Sequence, residues 1–420
     1  MTEEIERTCC IDKGLQNLGN TCFLNSTLQN LLRLTTFRNE LIKHTDFIES
    51  SQNSGVNPDY PITRAFVDLL IHMQSPSPRV LSPANLRRSF IRKHRTFANF
   101  KQQDAHEFLT LLLDALSEEH GKHLKTVSND EESSKTRKTT VIDDTFGGAM
   151  QTTVLCTQCG TAYVNTATFT ALELPIPNEA DELDSDQVDD EQTQHCVQGL
   201  KLGVHRDYES LHRLATLEGC LARYTYPETL RGTGYRCDYC TLSDLLDRAK
   251  ANMPAEKAAQ LVPIIERAMD TIRAASEGHR AFTEHEMTEI SRLVKNTRFP
   301  NTPTVVKASA LTAEAMKPVL VLQLNRFMSK GRRLRKNDRS VQFPTTLDLS
   351  AYCQPGARAH VAYQLRGAII HSGSMGGGHY TAVVQGKGGG WHNYSDSSVQ
   401  TDVGDRLESF RPYVLFYERV

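Results

Sequence analysis

The sequence has no apolar run close to the roughly 20 residues that a helix needs to cross a lipid bilayer. It also lacks an excess of either charge, because 48 lysines and arginines oppose 50 acidic residues and the formal net charge is −2. A net charge this small gives no general attraction to nucleic acid or to anionic membranes. The opening residues, MTEEIERTCC, have neither the basic nor the apolar stretch of a secretory signal. These absences predict an intracellular protein, cytoplasmic or nuclear or both, that binds neither nucleic acid nor membranes.

The chain is long and contains many cysteines. Its 420 residues suffice for one large domain or for two to three smaller ones, and ten of them are cysteines. Inside a cell, cysteines serve as free thiols, metal ligands or nucleophiles more often than as disulfides. Charge is uneven locally, with an acidic run at 181–191 and a basic run at 330–336. Both runs are predicted to be solvated loops, and the basic one a hairpin tip, because predicted strands flank it.

The first part of the chain is predicted to be helical. Residues 14–34 combine a turn with a helix, and residues 60–74 and 83–94 each show helical periodicity. The segment QQDAHEFLTLLLDAL at 102–116 is predicted to be a helix with one apolar face. The polar and aperiodic residues 117–140 are predicted to form a mobile insertion.

Strands dominate the rest of the chain, apart from one helical segment. Residues 141–176 are rich in Thr, Val and Phe, whereas residues 244–297 have helical periodicity. Within that helical segment, Thr283 and Glu286 have the spacing of a capping box. The predicted strands that follow are PVLVLQLNRF, YQLRGAIIHSG, HYTAVVQG, WHNYSDSSVQ and YVLFYERV. Helices followed by antiparallel strands indicate an α+β fold.

One cysteine lies where turn residues give way to helical periodicity. In LGNTCFLNSTLQNLL, Gly-Asn-Thr precedes Cys22, and leucines recur at helical spacing after it. This pattern places Cys22 at or near a helix N-terminus, where unpaired N–H groups and the helix dipole stabilise a thiolate. Cys22 is therefore either a nucleophile or an ordinary buried thiol. A nucleophile also needs a base within hydrogen-bonding distance and a third group that orients the base.

The C-terminal stretch offers two candidate bases. His379 follows three glycines at the start of a predicted strand, and such glycines let the backbone turn sharply and leave room for a narrow substrate. His371 is the competing candidate. By itself, a cysteine far from a histidine in the sequence does not distinguish catalysis from packing.

Four motifs, in order, resemble those of the ubiquitin-specific proteases, a family of papain-like deubiquitinases. GLQNLGNTCFLNSTLQNLL is similar to the family's cysteine box, and QQDAHEFL and VLVLQLNRF resemble its two internal signatures. GGGHYTAVV, with WHNYSDSSV and YVLFYER, is similar to its histidine box. The resemblance implies one catalytic domain of the α+β class, a papain-like cysteine protease with a helical thumb, an antiparallel β palm and zinc-bearing β fingers.

The resemblance also implies an internal organisation and an activity. The implied parts are a thumb with the cysteine box (14–116), fingers with an acidic insertion (141–243), a helical insertion (244–316) and a palm with the histidine box (317–420). The implied reaction is thiol-dependent hydrolysis of the isopeptide or peptide bond after the C-terminal glycine of ubiquitin. Ubiquitin and ubiquitinated proteins are the implied partners of a monomer. An isopeptidase for another ubiquitin-like modifier and an inactive ubiquitin-binding relative are the alternatives.

Individual roles follow from matching positions. Cys22 resembles the family's nucleophile, His379 its general base, and Asn17 the amide that donates to the oxyanion. Contacts to the ubiquitin tail are implied for Asp104, Glu107, Tyr380, Gly377 and Gly378. The two carboxylates are expected on one helix face, where they can bind an arginine, and the tyrosine is expected to wall the channel for the Gly-Gly end.

The group that orients His379 departs from the family pattern. Ser395 occupies the position where the family usually has Asp or Asn, and Asp396 follows it. A serine hydroxyl can fix the imidazole tautomer but cannot stabilise the imidazolium by charge. Because adjacent strand residues point to opposite faces, only one of the two is expected to face His379. Ser395 is the expected orienter, with Asp396 acting through water, a backbone amide or the oxyanion region; Asp396 as the orienter is the alternative.

Two C-x₂-C pairs predict a metal site. Cys156 and Cys159 form the first pair, and Cys237 and Cys240 form the second. Four thiolates suit tetrahedral Zn²⁺ and leave no open position for water, so this zinc is predicted to be structural, clamping two β-ribbons. Four unrelated thiols, or a site that has lost its metal, are the alternatives. No cofactor beyond zinc is expected.

Overall fold

The structure is a computed structural model that describes most of the chain. The described residues are 12–51, 60–99, 101–127, 139–177, 211, 213–230, 235–276, 283–295, 305–330, 333–354, 356, 360–374, 377–386 and 388–420. The predicted acidic loop at 181–191 lies outside these ranges.

Helices form the N-terminal part of the chain, including the four segments in which the periodicity predicts them. Residues 35–51, for which no helix was predicted, and residues 141–145, at the start of the predicted strand-rich segment, are also helical. The helices are α1 (Cys22–Leu31), α2 (Thr35–Ser51), α3 (Pro61–Gln74), α4 (Ala84–Lys93), α5 (Ala105–Val127) and α6 (Val141–Thr145). Every residue of α1 is buried, so this helix lies at the centre of the molecule. Phe23 of α1 meets Phe108 of α5 edge to face, with ring centroids 5.5 Å apart, and Phe90 and Phe97 complete this aromatic cluster.

Helix α5 is longer than predicted. It continues through residues 117–127, so the prediction of a mobile insertion there was wrong. Glu119 is one polar residue of this extension with a structural role. Its carboxylate accepts the backbone N–H groups of Ile62 at 3.1 Å and Thr63 at 2.9 Å, at the start of α3. A carboxylate at a helix N-terminus satisfies unpaired donors and interacts favourably with the helix dipole.

Two short strands, β1 (Gly14–Leu15) and β2 (Val80–Leu81), pair in parallel with each other, and an extended sheet packs against the helical layer. Its strands are β5 (Ala171–Pro175), β8 (Val319–Asn325), β11 (Thr346–Asp348), β12 (Ala362–Ser374), β13 (Gly377–Gln385), β14 (Trp391–Ser395), β15 (Ser398–Gln400) and β16 (Pro412–Arg419). Their order is β15–β14–β13–β12–β16–β8–β5, with β11 also beside β12. Only the β5–β8 pair of this sheet is parallel in the described residues. Helix α1 packs on β13 and β12, which brings the two ends of the chain together.

A smaller sheet carries the first cysteine pair. Its strands are β3 (Gly148–Cys156), β4 (Ala162–Phe169), β6 (Glu228–Leu230) and β7 (Val305–Leu311), in the order β4–β3–β7–β6. Strand β7 falls inside the range 244–316 that was expected to be a helical insertion, so that boundary was wrong. The basic run at 330–336 contributes to a hairpin, as predicted, but as strands β9 (Phe327–Lys330) and β10 (Arg333–Lys336) rather than as a solvated loop.

Further helices lie between β5 and β7 in the sequence. They are α7 (Leu217–Thr225), α8 (Asp238–Asn252), α9 (Ala255–Ser276) and α10 (Glu284–Lys295), and the last three share a small apolar core. The predicted capping box is confirmed. The Thr283 N–H donates to Glu286 Oε2 at 3.0 Å, and the Glu286 N–H donates to Thr283 Oγ1 at 3.3 Å. None of the helices that the structure describes has the length and apolarity to cross a membrane.

Candidate active site

Cys22 is the first residue of α1, as the sequence predicts. Gly19 and Asn20 both have positive φ values, 99° and 52°, so the chain turns tightly just before the helix. Asn tolerates this left-handed region better than most residues, and Gly enters it without a steric cost. The thiol is almost fully buried, with 3% of the residue exposed. The turn therefore delivers a buried thiol to a helix N-terminus.

The protonation of Cys22 differs from the expectation of an easily formed thiolate. Burial raises the pKa of the Cys22 thiol; a hydrogen bond from the Tyr380 backbone opposes this shift, and the Asp396 charge adds to it. Hydrogen bonds from the first residues of α1 also favour the thiolate, but they do not outweigh burial. The thiol is therefore protonated at neutral pH, and its use as a nucleophile requires a base.

His379, near the start of β13, faces the end of β14. Its Nε2 lies 2.8 Å from Ser395 Oγ and 4.0 Å from Asp396 Oδ2. The next residue, Tyr380, makes the backbone contact to the Cys22 thiol. The structure thus brings the predicted cysteine, histidine and serine to one place. Because Ser395 contacts Nε2 of His379, Nδ1 is the other ring nitrogen and makes no contact with Ser395.

Asp396 also faces His379, contrary to the expectation that only one of the two residues would. Strand β14 ends at Ser395, and residues 396 and 397 form the turn into β15. Asp396 has a φ of +51°, in the left-handed region that Asp and Asn tolerate. Strand alternation does not apply within a turn, and a carboxylate can follow Ser395 on the same side.

His371 has a different environment from His379. It is 7% exposed, and its ring centroid lies 4.5 Å from that of Tyr380. Burial, aided by the Lys336 ammonium, lowers the pKa of His371 to about 4. An imidazole with this pKa is a weak base at neutral pH. His371 is therefore better suited to packing against Tyr380 of the β12–β13 hairpin than to the role of general base.

Asn17 is fixed in the turn before Cys22 by both ends of its amide. Its Oδ1 accepts the backbone N–H of Gly19 at 2.9 Å and of Thr21 at 3.2 Å. Its Nδ2 donates to Asp396 Oδ2 at 2.8 Å. An amide nitrogen carries two hydrogens, and the second is available to an oxyanion next to Cys22.

Asp104 does not lie on the face of a helix, so that expectation was wrong. It precedes α5 and caps it, because its Oδ1 accepts the N–H groups of His106 at 2.7 Å and Glu107 at 3.0 Å. Its Oδ2 accepts the hydroxyl of Tyr413 at 2.6 Å. Both oxygens are therefore engaged within the protein, whereas Glu107 is exposed on the first turn of α5.

The glycines before His379 permit a close approach between elements. A Cβ on Gly378 would lie 2.4 Å from His371 Nε2 and 2.5 Å from Ser372 O, so a side chain does not fit there. The Gly378 N–H donates to Gln102 Oε1 at 2.8 Å, which links the hairpin to the segment before α5. A Cβ on Gly377, in contrast, would meet no atom within 4 Å. Tyr380 is 4% exposed and packs against His371 rather than standing free in a channel.

The four predicted metal ligands come together. Among the described residues, the Sγ atoms of Cys156, Cys159, Cys237 and Cys240 lie within 4.8 Å of one another. Two of the Sγ pairs, 156–240 and 159–237, are 3.8 and 3.6 Å apart. Tetrahedral zinc with Zn–S bonds of about 2.3 Å requires sulfur atoms about 3.8 Å apart. The cluster therefore fits a tetrahedral metal ion held by four thiolates.

The second cysteine pair does not belong to a β-ribbon, as the prediction of two clamped ribbons assumed. Cys156 ends β3, but Cys237 immediately precedes α8 and Cys240 lies in its first turn. The metal cluster therefore joins a strand to a helix N-terminus. Thiolates there gain from the helix dipole, as other anions do.

Sequence reasoning missed the buried polar side chains of α1. Asn25, Gln29 and Asn30 are each 1–2% exposed, and each uses its amide to bind other segments. A signal was available, because these residues lie among leucines in a helix without charged residues. Buried amides of this kind require partners, so their positions indicate contacts with polar groups.

Comparisons with known proteins find a matching family and similar sequences. A family model described as ubiquitin carboxyl-terminal hydrolase matches residues 13–417. The chain is 25% identical over 428 residues to Ubiquitin carboxyl-terminal hydrolase Usp2 of Drosophila melanogaster, covering 97% of this chain and 34% of that protein. It is also 25% identical over 428 residues to Ubiquitin carboxyl-terminal hydrolase 2 of Homo sapiens, covering 96% of this chain and 54% of the relative. The chain therefore spans between a third and about half the length of these relatives.

Solved structures share the fold. The SAGA Ubp8/Sgf11/Sus1/Sgf73 DUB module bound to ubiquitin aldehyde contains a chain with a TM-score of 0.63 and 20% identity, covering 99% of this chain and 70% of that one. Another structure of the Ubp8-Sgf11-Sgf73-Sus1 SAGA DUB module gives a TM-score of 0.57 at 20% identity, covering 99% and 69%. The mixed helix and sheet architecture of this chain is thus shared with chains in these solved structures.

Proposed function

The chain belongs to the ubiquitin carboxyl-terminal hydrolase family, and from this premise we propose that it is a deubiquitinase. It hydrolyses the isopeptide or peptide bond that follows the C-terminal glycine of ubiquitin in protein conjugates. The observation that carries this proposal is that Cys22, at a helix N-terminus, contacts the backbone of Tyr380, the residue that follows His379, whose ring is paired with Ser395. A buried thiol, a base and an orienting group are the parts that thiol-mediated acyl transfer needs.

The reaction begins with proton transfer. His379 Nδ1 takes the Cys22 proton, and the resulting thiolate attacks the carbonyl carbon of the ubiquitin glycine. Negative charge develops on the carbonyl oxygen, where the second Nδ2 hydrogen of Asn17 stabilises it. His379 then gives its proton to the departing amine, which leaves a thioester. Water attacks the thioester with His379 again as base, and the glycine carboxylate and the Cys22 thiol are released.

Charge near His379 comes from Asp396 rather than from Ser395. The Ser395 hydroxyl sets the ring tautomer from 2.8 Å, while the Asp396 carboxylate places a negative charge 4.0 Å from the same nitrogen. Asp396 also holds Asn17. We therefore assign to Ser395 the orientation of the base, and to Asp396 both electrostatic support and control of the oxyanion donor.

Substrate recognition uses the segments on either side of the nucleophile. Glu107 is the exposed carboxylate available to an arginine of the ubiquitin tail, while Asp104 supports it by capping the same helix. Gly377 and Gly378 keep the hairpin before His379 free of side chains, so a Gly-Gly segment can pass. Tyr380 supports the floor of this passage from its buried position.

The bound metal in this proposal is zinc, in a structural role. Four thiolates at tetrahedral spacing suit Zn²⁺ and leave no position for a water nucleophile. A reactive thiol and thiolate ligands both require a reducing compartment, which supports an intracellular location.

The proposal is tested with ubiquitin that carries a fluorogenic amide at its C-terminus. We expect hydrolysis, and a 1:1 covalent adduct when the amide is replaced by an electrophile; peptide mapping is expected to find the adduct on Cys22. The same reagents made from other modifiers that end in Gly-Gly are the comparison. A faster reaction with one of them would reassign the substrate, and no reaction with any would refute the proposed activity for the folded protein.

Asp396→Ala is expected to lower kcat more than Ser395→Ala. Ser395 contributes one hydrogen bond, and its loss corresponds to about a 10-fold decrease. Asp396 contributes charge beside His379 and holds Asn17, so its loss corresponds to a decrease of about 10²–10³-fold. The measurement is kcat for ubiquitin-amide hydrolysis, and Ser398→Ala, at an exposed position of the same hairpin, is the matched control. A larger loss in Ser395→Ala would make the serine the main support of the base.

A further inference from the structure

Asn25 lies one helical turn after Cys22 and is 2% exposed. Its Nδ2 donates to Asp396 Oδ1 at 2.7 Å. The same nitrogen lies 3.3 Å from Gln16 O and 3.4 Å from Leu15 O. Three acceptors thus surround an amide nitrogen that has two hydrogens, and this fixes the orientation of the amide.

Asp396 connects this buried amide to the candidate oxyanion donor. Its Oδ1 accepts from Asn25, and its Oδ2 accepts from Asn17 at 2.8 Å. Its backbone oxygen accepts the Leu15 N–H at 2.8 Å, and its side chain is 14% exposed. The carboxylate therefore has a defined donor on each oxygen, and its position is set from the helix that begins with Cys22.

Among the described residues, the Asn25 side chain makes its hydrogen bonds through its nitrogen and not through its oxygen. In the part of the chain that the structure describes, no donor reaches the buried Asn25 Oδ1. A buried acceptor without a donor is unfavourable, and an apolar side chain would avoid it. The amide nitrogen, in contrast, is fully used, and its shortest contact is to Asp396.

We propose that Asn25 is a positioning residue that directs the Asn17 amide toward the oxyanion by holding Asp396. This inference rests on the proposed function, because it assigns a role in that reaction. Without Asn25, Asp396 Oδ1 loses its donor in a site with little access to water. The Asp396 carboxylate then accepts both Nδ2 hydrogens of the nearest remaining amide, Asn17. The second of these hydrogens is therefore no longer available to the oxyanion.

The expected effect falls on kcat and leaves KM unchanged within about twofold, because Asn25 is too buried to touch the substrate. We expect Asn17→Ala to lower kcat for ubiquitin-amide hydrolysis by about 10²-fold. Asn25→Ala is expected to lower it by at least about 10-fold, through loss of a hydrogen bond to a charged group. The double variant is expected to match Asn17→Ala within about twofold, because the effect of Asn25 passes through Asn17.

Two controls separate positioning from a structural role. Asn30 is also buried in α1, and its Nδ2 donates to Ser26 O at 2.9 Å and Ala368 O at 3.3 Å, away from Asp396. Asn30→Ala is expected to lower the melting temperature and keep kcat. A ubiquitin probe with an alkyl halide at its C-terminus reacts with the thiolate without forming an oxyanion. Asn25→Ala is expected to react with this probe at the wild-type rate.

Two outcomes would overturn the inference. One is a double variant whose loss equals the product of the two single losses; another is an Asn25→Ala kcat no lower than that of Asn30→Ala. Asn25→Leu, which has a similar volume and no donor, is used if Asn25→Ala does not fold, with the same criteria. Wild-type protein that neither reacts with the probe nor hydrolyses the amide would instead refute the proposed function.

Discussion

Cys22→Ala is expected to reduce ubiquitin-amide hydrolysis to the background rate while the protein still folds and binds ubiquitin. Removal of the nucleophile leaves His379 and Asn17 without a covalent step to assist, and in a serine protease such a loss lowers kcat by about 10⁶-fold. The thiol is buried at the start of α1, and alanine fits there without a change in helix capping. The measurements are the hydrolysis rate, the melting temperature and the affinity for ubiquitin.

Cys353→Ala is the matched control for this prediction. Cys353 is also a buried thiol, 3% exposed, but it lies in the apolar core on the other side of the sheet and donates to Leu349 O. Its loss is expected to cost stability through a small cavity and to leave kcat unchanged. Cys22→Ala that keeps the wild-type rate would exclude Cys22 as the nucleophile. Loss of activity in both variants would indicate a general effect of thiol removal on the fold.

Much of the site could be predicted because it rests on local rules. Turn residues followed by leucines at helical spacing correctly placed Cys22 at the start of α1, and the spacing of Thr283 and Glu286 correctly predicted a capping box. The two C-x₂-C pairs correctly indicated that four thiols would meet. In each case the residues that decide the geometry are near in sequence, or the chemistry of one cluster requires them together.

The errors arose where contacts between distant segments decide the local structure. Asp104 caps α5 with one oxygen, and its other oxygen accepts the hydroxyl of Tyr413, which lies far along the chain. Helix α5 continues to Val127, and Glu119 in this extension caps α3, a contact that no periodicity in 117–127 reveals. Asp396 faces His379 because the strand ends one residue before it, and a period-two rule cannot place that end. Tertiary partners, not local propensity, decide these positions.

Removal of the metal is expected to unfold helices α8–α10 together with the end of the β3–β4 hairpin. Structural zinc sites contribute about 10–16 kcal/mol of apparent binding free energy in zinc-finger peptides, and this energy is lost with the metal. Tyr163 and Tyr239 belong both to the apolar groups around the thiols and to the core shared by the three helices. Loss of the cluster therefore reaches the helices through these rings.

Hydrogen exchange after chelation, or in Cys237→Ser, measures the extent of this unfolding. Amides of α8, α9 and α10 are expected to exchange fast, while those of β12 and β16, in the centre of the large sheet, stay protected. Cys220→Ser is the matched control, because Cys220 is also fully buried but lies in α7, in a separate core. The Cys220→Ser protein is expected to retain one bound metal ion.

Helices that stay protected without metal would show that their apolar core folds independently. A wild-type protein purified without metal, with these helices intact, would refute the structural site. If unfolding instead spreads to β12 and β13, activity is lost through displacement of His379, and the metal becomes a condition for the whole active site rather than for one part of the fold.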